Sequence, residues 1–220
     1  MAVLTWDGAG EKRFEMGVDH GVLYPIVSGN YTKGVAWNGL TSVAASPDGG
    51  DATDLWADNI KYGSMRAAEK FGGTIEAYQA PDEFKACDGR ATIATGVTVG
   101  QQTRQAFGFC WRSGIGNDLN PEAGYIIHIA YGCTASPSEQ TYETTNDSPD
   151  AGTLSWEFEA NSVPVTGAKP TSYVEIDSTQ FDTEQLKAKL KKIEDKLYGT
   201  TSEEPTMLLP DEIAALVTST

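Results

Sequence analysis

The residues able to do acid–base, nucleophilic or metal chemistry are few and badly spaced for it. Two histidines are present, His20 in "GVDHGVLYP" beside Asp19, and His128 between Ile127 and Ile129. The first reads as a loop residue with a local hydrogen bond. The second, alternating with isoleucines in an apolar run, reads as a satisfied structural histidine. Cys87, Cys110 and Cys133 are an odd number without CxxC spacing, and two of them lie in apolar runs. That pattern fits buried free thiols, and a Cys–His nucleophile would need an accessible, electropositive setting instead. No GxSxG elbow, HExxH, phosphate loop or dinucleotide fingerprint occurs. Carboxylates are abundant, so a glycosidase-like pair is not excluded by counting. Asp48, Asp51, Asp54 and Asp58 approach the composition of a calcium loop but lack its order and its terminal glutamate. No catalytic, metal-binding or cofactor-binding residues are expected.

The elements that would have to position such groups are mostly strands. "GTLSWEFEA", Gly152 to Ala160, alternates Leu154, Trp156, Phe158 and Ala160 with Ser155, Glu157 and Glu159, as a sheet half buried and half wet requires. "TSYVEI" from Thr171 and "GTIEAYQA" from Gly73 repeat the pattern. "GYIIHIAYG", Gly124 to Gly132, is apolar on both faces and predicts a central strand covered on both sides. "QAFGFCWRS", Gln105 to Ser113, is similar, with Gly108 as a bulge candidate. Turn signals at Asp88-Gly89, Asn117-Asp118, Pro121 and Ser148-Pro149 come at short intervals, favouring a sandwich or partial barrel over βαβ units.

Asn38-Gly39 predicts a tight hairpin. Behind it, Ser46 to about Gly72 reads as a long acidic loop bearing Pro47, Leu55, Trp56 and Tyr62, with a helical turn within Asn59 to Phe71. One helix is predicted over 182–198. Asp182 is its cap with Gln185 completing a capping box, Leu186, Leu190, Ile193 and Leu197 form its stripe, and Gly199 its end. "GTTSEEP" then reads as a linker. "MLLPDEIAALV" is an apolar tail for which docking on another subunit and folding back both remain open. The division is thus 1–199 as one domain and 200–220 as a C-terminal arm.

Composition bounds the function. At 220 residues and 40% hydrophobic, the chain can bury a core, and no run is apolar enough to span a membrane. The start lacks a signal peptide's apolar stretch, which predicts a chain made and kept in a cytoplasm, or leaving it without the secretory route. Sixteen basic against 31 acidic residues leave a charge of −15, the reverse of a nucleic-acid binder's balance. Thr183 to Tyr198 holds five lysines and three acids, so the remainder carries 11 basic against 28 acidic residues. This helix is the one basic element on an acidic body. Its lysines either sit in solvent or face a neighbour's acids.

The order of unusual phrases, "GVAWNGLTSV", "ADNIKY", "EAYQAPDEF", "GNDLN" and "ASPSEQTY", resembles the major tail proteins (tail tube proteins) of long-tailed, non-contractile bacteriophages of Gram-positive hosts, over roughly Val18 to Gly199. That resemblance implies a mainly β tail-tube sandwich with a flanking helix. Six copies would close into a ring, and rings would stack into a tube that carries genomic DNA during ejection. The long loop would contact neighbours, with Trp56 and Tyr62 as anchors and the aspartates as rim. Tape measure, terminator and tip proteins would be partners, and the virion tail, assembled in the host cytoplasm, the location. An acidic bore would pass DNA without holding it, since like charges within a Debye length of about 8 Å disfavour adhesion. By alternation Glu76, Glu157 and Glu159 are candidates to face it, or equally to lie on the tube's outside. Some relatives carry an extra immunoglobulin-like domain, which is not expected here. The alternative from the residues alone is a β-sandwich carbohydrate-binding module using Trp6, Trp37, Trp56, Trp111 and Trp156.

Overall fold

In a computed structural model that describes residues 4–142, 144 and 151–219, the chain forms thirteen strands and three helices. The strands are β1 Phe14–Val27, β2 Asn30–Tyr31, β3 Val35–Trp37, β4 Leu40–Ala45, β5 Ala52–Ala57, β6 Ile60–Arg66, β7 Phe71–Ala77, β8 Ala91–Ala94, β9 Val97–Val99, β10 Phe107–Gly116, β11 Gly124–Ala135, β12 Leu154–Ala160 and β13 Tyr173–Asp177. The helices are the single turn α1 Phe84–Cys87, then α2 Glu184–Tyr198 and α3 Pro210–Thr218. All strand pairing is antiparallel, as expected of a mainly β chain. The Ser148-Pro149 turn signal lies outside the described residues.

Nine strands share one sheet that folds over on itself. β3, β1, β10, β11 and β13 make one layer. β12, β7 and β4 make the other, joined to the first because Thr134 and Ala135 at the end of β11 pair with Glu159 and Phe158 of β12. A bulge lets β11 serve both layers. Between Phe107–Cys133 and Phe109–Ala130 the β11 side carries one residue more, and Gly132 there has φ 55°. Extra residues of this kind bend the bulged strand. A bulge was expected at Gly108, and it does fall opposite Gly108, but the added residue belongs to β11.

Alternation along β10 and β11 sends side chains to two cores. Phe107, Phe109, Trp111 and Ala130 meet Ile75, Trp156, Phe158 and Trp37 between the layers. Cys110, Ile127, Ile129 and Tyr131 meet Leu190, Ile193, Leu197 and Ile213 of the helices on the outer face. The central strand is therefore covered on both sides, as its two-faced apolar sequence requires.

α2 starts one residue later than expected. Thr183, not Asp182, is the cap, its Oγ1 accepting from the N–H of Leu186 at 3.2 Å. Gly199 ends the helix, and the Tyr24 hydroxyl, buried in the core, donates to the carbonyl of Leu197 at 2.6 Å. That bond satisfies a last-turn carbonyl that the helix itself leaves open. The apolar tail folds back. Met207, Leu208 and Ile213 are buried in the α2 core, and Lys189 Nζ donates to the Val217 carbonyl at 2.9 Å. So α2 is not the only flanking helix. α3 packs beside it.

Two other expectations change. Asn38-Gly39 does not join a hairpin, because β3 pairs with β1 while β4 pairs with β7. The turn is a corner carrying the chain from one layer to the other. The segment 46–72 is not a loop with a helical turn either. It is the outer part of the β4–β7 hairpin, drawn out through β5 and β6.

Ile193 is fully enclosed between α2 and β11's outer face. We expect Ile193→Ala to lower unfolding free energy by about 2–5 kcal/mol in urea titration, through lost transfer energy and the cavity left behind.

Candidate assembly surface

One register runs the length of the projecting hairpin. Ser42 pairs with Glu76, Ala45 with Gly73, Asp48 with Lys70, Ala52 with Arg66 and Leu55 with Gly63, with equal residue numbers on the two sides throughout. Asp48 and Lys70 exchange both backbone bonds, at 2.8 and 2.9 Å, at the arm's base beside Pro47. The tip is Asp58-Asn59, both at positive φ (52° and 62°), the requirement of a two-residue type I′ turn. Past Gly63, a bulge at Tyr62 shifts the register by one.

Alternation assigns the arm's two faces. Val43 and Ile75 point into the core, and on the same side of the ladder further out stand Thr53, Leu55 and Met65, with Ala57 and Ile60 near the tip. These apolar residues have nothing over them: Leu55 is 42% exposed, Met65 62% and Ile60 64%. The other face carries Asp54, which pairs with Lys61 at 2.7 Å, together with Trp56, 68% exposed. Tyr62 is 78% exposed at the bulge. Asp51 leads into β5, and the four aspartates are spread along the arm rather than gathered. Among the described residues no group of three His, Cys, Asp or Glu side chains stands close enough to hold a metal.

Ile60 and Met65 escaped sequence reading because the segment was read with a helical period. The signal was the Asp-Asn turn between two alternating runs. A second exposed hairpin, β8–β9 with Ile93 and Val97 bare, was missed too, although Thr95-Gly96 marks its turn.

The three acids assigned by alternation do share a surface. Ser155 pairs with Glu76, Glu157 with Thr74 and Glu159 with Gly72, all on the face of the β12–β7–β4 layer opposite Trp156, Phe158 and Ile75. Ser42 Oγ donates to Glu76 at 2.7 Å. None of these three strands contains a lysine or arginine. The face is hydroxylic and acidic.

Elsewhere, His128 and the cysteines are enclosed within the fold. His128 is buried and its ring stacks on Trp111 with centroids 5.0 Å apart. Tyr173 donates to Glu175 at 2.7 Å, so its oxygen is left to accept from His128 Nδ1 at 2.5 Å, while Nε2 accepts from Ser113 Oγ at 2.8 Å. Both ring nitrogens are thereby partnered. The arrangement polarises the Ser113 hydroxyl, but its evident effect is to make a buried imidazole tolerable. All three cysteines are free and buried, and burial pushes the Cys87 and Cys110 thiols up to about 12. Trp37, Trp111 and Trp156 are core residues, leaving Trp6 and Trp56 at the surface. The basic helix is answered locally: Lys187 pairs with Glu184, Lys191 with Asp195 and Lys196 with Glu203. No described helix is long and apolar enough to cross a membrane.

No protein-family model matches the chain, and no curated protein is significantly similar to it in sequence.

Two solution tests follow from the burial. In the native protein at mildly alkaline pH, iodoacetamide should leave all three cysteines unmodified, with complete alkylation after denaturation, read by mass spectrometry. Desolvation also holds His128 below its usual value of 6.5, against the opposing pull of Glu175 and Glu15. The unfolded chain therefore takes up a proton that the folded one does not. Stability is full above pH about 6.5 and falls as the pH drops below it. Urea titrations between pH about 7 and about 5 should show this loss and its flattening in His128→Gln; the carboxylates held low (Asp19, Asp82, Asp177, Asp211) act in a more acidic window, below about 4.

Proposed function

We propose that this chain is a structural subunit that completes itself by assembly, the repeating protein of a bacteriophage tail tube, acting without catalysis or cofactor. The observation that carries the reading is the arm, whose core-facing side continues past the body with Leu55, Ile60 and Met65 uncovered. Full burial of such a side chain from full exposure is worth about 1.5–3 kcal/mol, so covering what these residues still expose favours a second copy over that face. In the assembly, six copies close into a ring, rings stack, and the arm reaches neighbouring subunits with Leu55, Trp56 and Tyr62 as anchors and Pro47, Asp48, Asp51, Asp54 and Asp58 along the rim.

The Glu76, Glu157 and Glu159 face lines the bore. A wall without lysine or arginine, bearing carboxylates close to the phosphates, lets DNA pass without adhering. Tape measure, terminator and tip proteins set the tube's length and ends, and the tube forms in the host cytoplasm before becoming part of the virion tail.

Electron microscopy of the purified chain should show rings or hollow cylinders. Leu55→Asp with Ile60→Asp should abolish them while leaving the circular dichroism and the melting curve of the free subunit nearly unchanged, since neither residue is buried in one copy. A wild-type chain that stays strictly monomeric at high concentration, with tail extracts present as initiators, would sink the proposal. So would assembly indifferent to the two charges.

A further inference from the structure

The corner between β3 and β4 is chemically exposed in a way that no other asparagine site among the described residues matches. Asn38 and Gly39 are both at the surface. The Gly39 carbonyl accepts from Tyr78 N–H at 2.9 Å, but its own N–H donates to no described group, and the Asn38 carboxamide makes no hydrogen bond with the described residues. Gly39 has φ 78°, and a Cβ placed there would make only ordinary contacts, the nearest at 3.6 Å, so no neighbour crowds the Gly39 backbone. The other described asparagines differ. Asn30 donates to Ser28, Asn161 donates to Gly132, and Asn117 accepts from Leu119 and Asn120. Asn120 precedes Pro121, which has no N–H to react. Asn59 precedes the β-branched Ile60, whose backbone belongs to the β5–β6 ladder.

We propose that Asn38 is a site of spontaneous deamidation and isoaspartate formation in the native protein. The Gly39 amide nitrogen, giving its proton to hydroxide, attacks Asn38 Cγ. A nitrogen–Cγ bond forms, the Cγ–Nδ2 bond breaks, and the side-chain nitrogen leaves as ammonia after taking a proton from water. The resulting five-membered succinimide adds one water. Opening at Cγ leaves aspartate on the original backbone, and opening at the main-chain carbonyl reroutes the backbone through Cβ and Cγ as isoaspartate. No oxidant or reductant is involved. Either product adds a negative charge beside β4, an edge strand of its layer. Isoaspartate also lengthens by one atom the two-residue link between Trp37, anchored through Nε1 to the Gln79 carbonyl at 2.8 Å, and Leu40 in the second layer. The inference stands independently of any assembly role.

The test is incubation of the full-length native chain at mildly acidic and mildly alkaline pH, with peptide mass mapping and enzymatic isoaspartyl methylation as readouts. Conversion should concentrate at Asn38, rise with pH and vanish from that peptide in Asn38→Ser, whose circular dichroism serves as the folding control. A parallel sample in denaturant should lose the selectivity conferred by the fold at Asn30, Asn117 and Asn161. Native conversion at Asn38 no faster than at Asn59 or Asn161, or independent of pH, overturns the proposal.

Discussion

The structure depends on one hairpin register that runs further than the body it belongs to. From Ser42–Glu76 through the Asp48–Lys70 bridge to Leu55–Gly63 the paired residues keep one register, and the period-2 alternation carries the core side of the sheet outward with it. Near the body that side is covered by Phe109, Trp156 and their neighbours. Along the arm it carries Leu55, Ile60 and Met65 with no layer opposite. The Asp48–Lys70 bridge holds the transition, where the strands are otherwise irregular.

The rest of the fold is arranged so that the shared sheet can be rigid. β11 is the centre, with aromatic side chains between the layers and the two helices on its other face. Tyr24 and Tyr131 tie the helical layer to the sheet through hydroxyls donated to the Leu197 and Leu208 carbonyls. Such bonds satisfy groups that burial would otherwise orphan, at about 1 kcal/mol net each and considerably more if a partner is removed. Packing on both faces leaves the β12–β7–β4 layer with one wet side, and there the charge is of one sign. Lys187, Lys191 and Lys196 of α2, by contrast, pair with nearby carboxylates, and Lys189 is held by the Val217 carbonyl.

Much of this was legible in the sequence because alternation is a local property. "GTLSWEFEA" gave both the buried Trp156 and Phe158 and the outward Glu157 and Glu159, and the doubly apolar "GYIIHIAYG" gave the covered centre. What failed depended on partners distant in sequence. Asn38-Gly39 has hairpin chemistry, yet Trp37 is captured by Gln79 and β1 while Leu40 joins β7, so the same turn becomes a corner. The arm was hidden because Ala67, Ala68, Glu69 and Lys70 favour a helix locally, and only the ladder to Asp48 overrides them. The α2 cap moved because Asp182 and Thr183 are both competent and geometry chose the second. α3 finds its place through contacts distant in sequence: Ile213 in the core shared with β11 and α2, Asp211 with Thr166, and the Val217 carbonyl with Lys189.

The central claim is that the arm's apolar face is uncovered in one copy and covered by another. Hydrogen exchange of the backbone amides of Ala52–Arg66, followed from dilute subunit to the assembled state, tests it most directly. The account predicts fast exchange across the arm in dilute protein, and strong protection on assembly that is centred on Leu55, Ile60 and Met65 and absent from the β11 core, already protected. Arm amides equally protected at every concentration, or still exchanging fast in assembled particles, would contradict it.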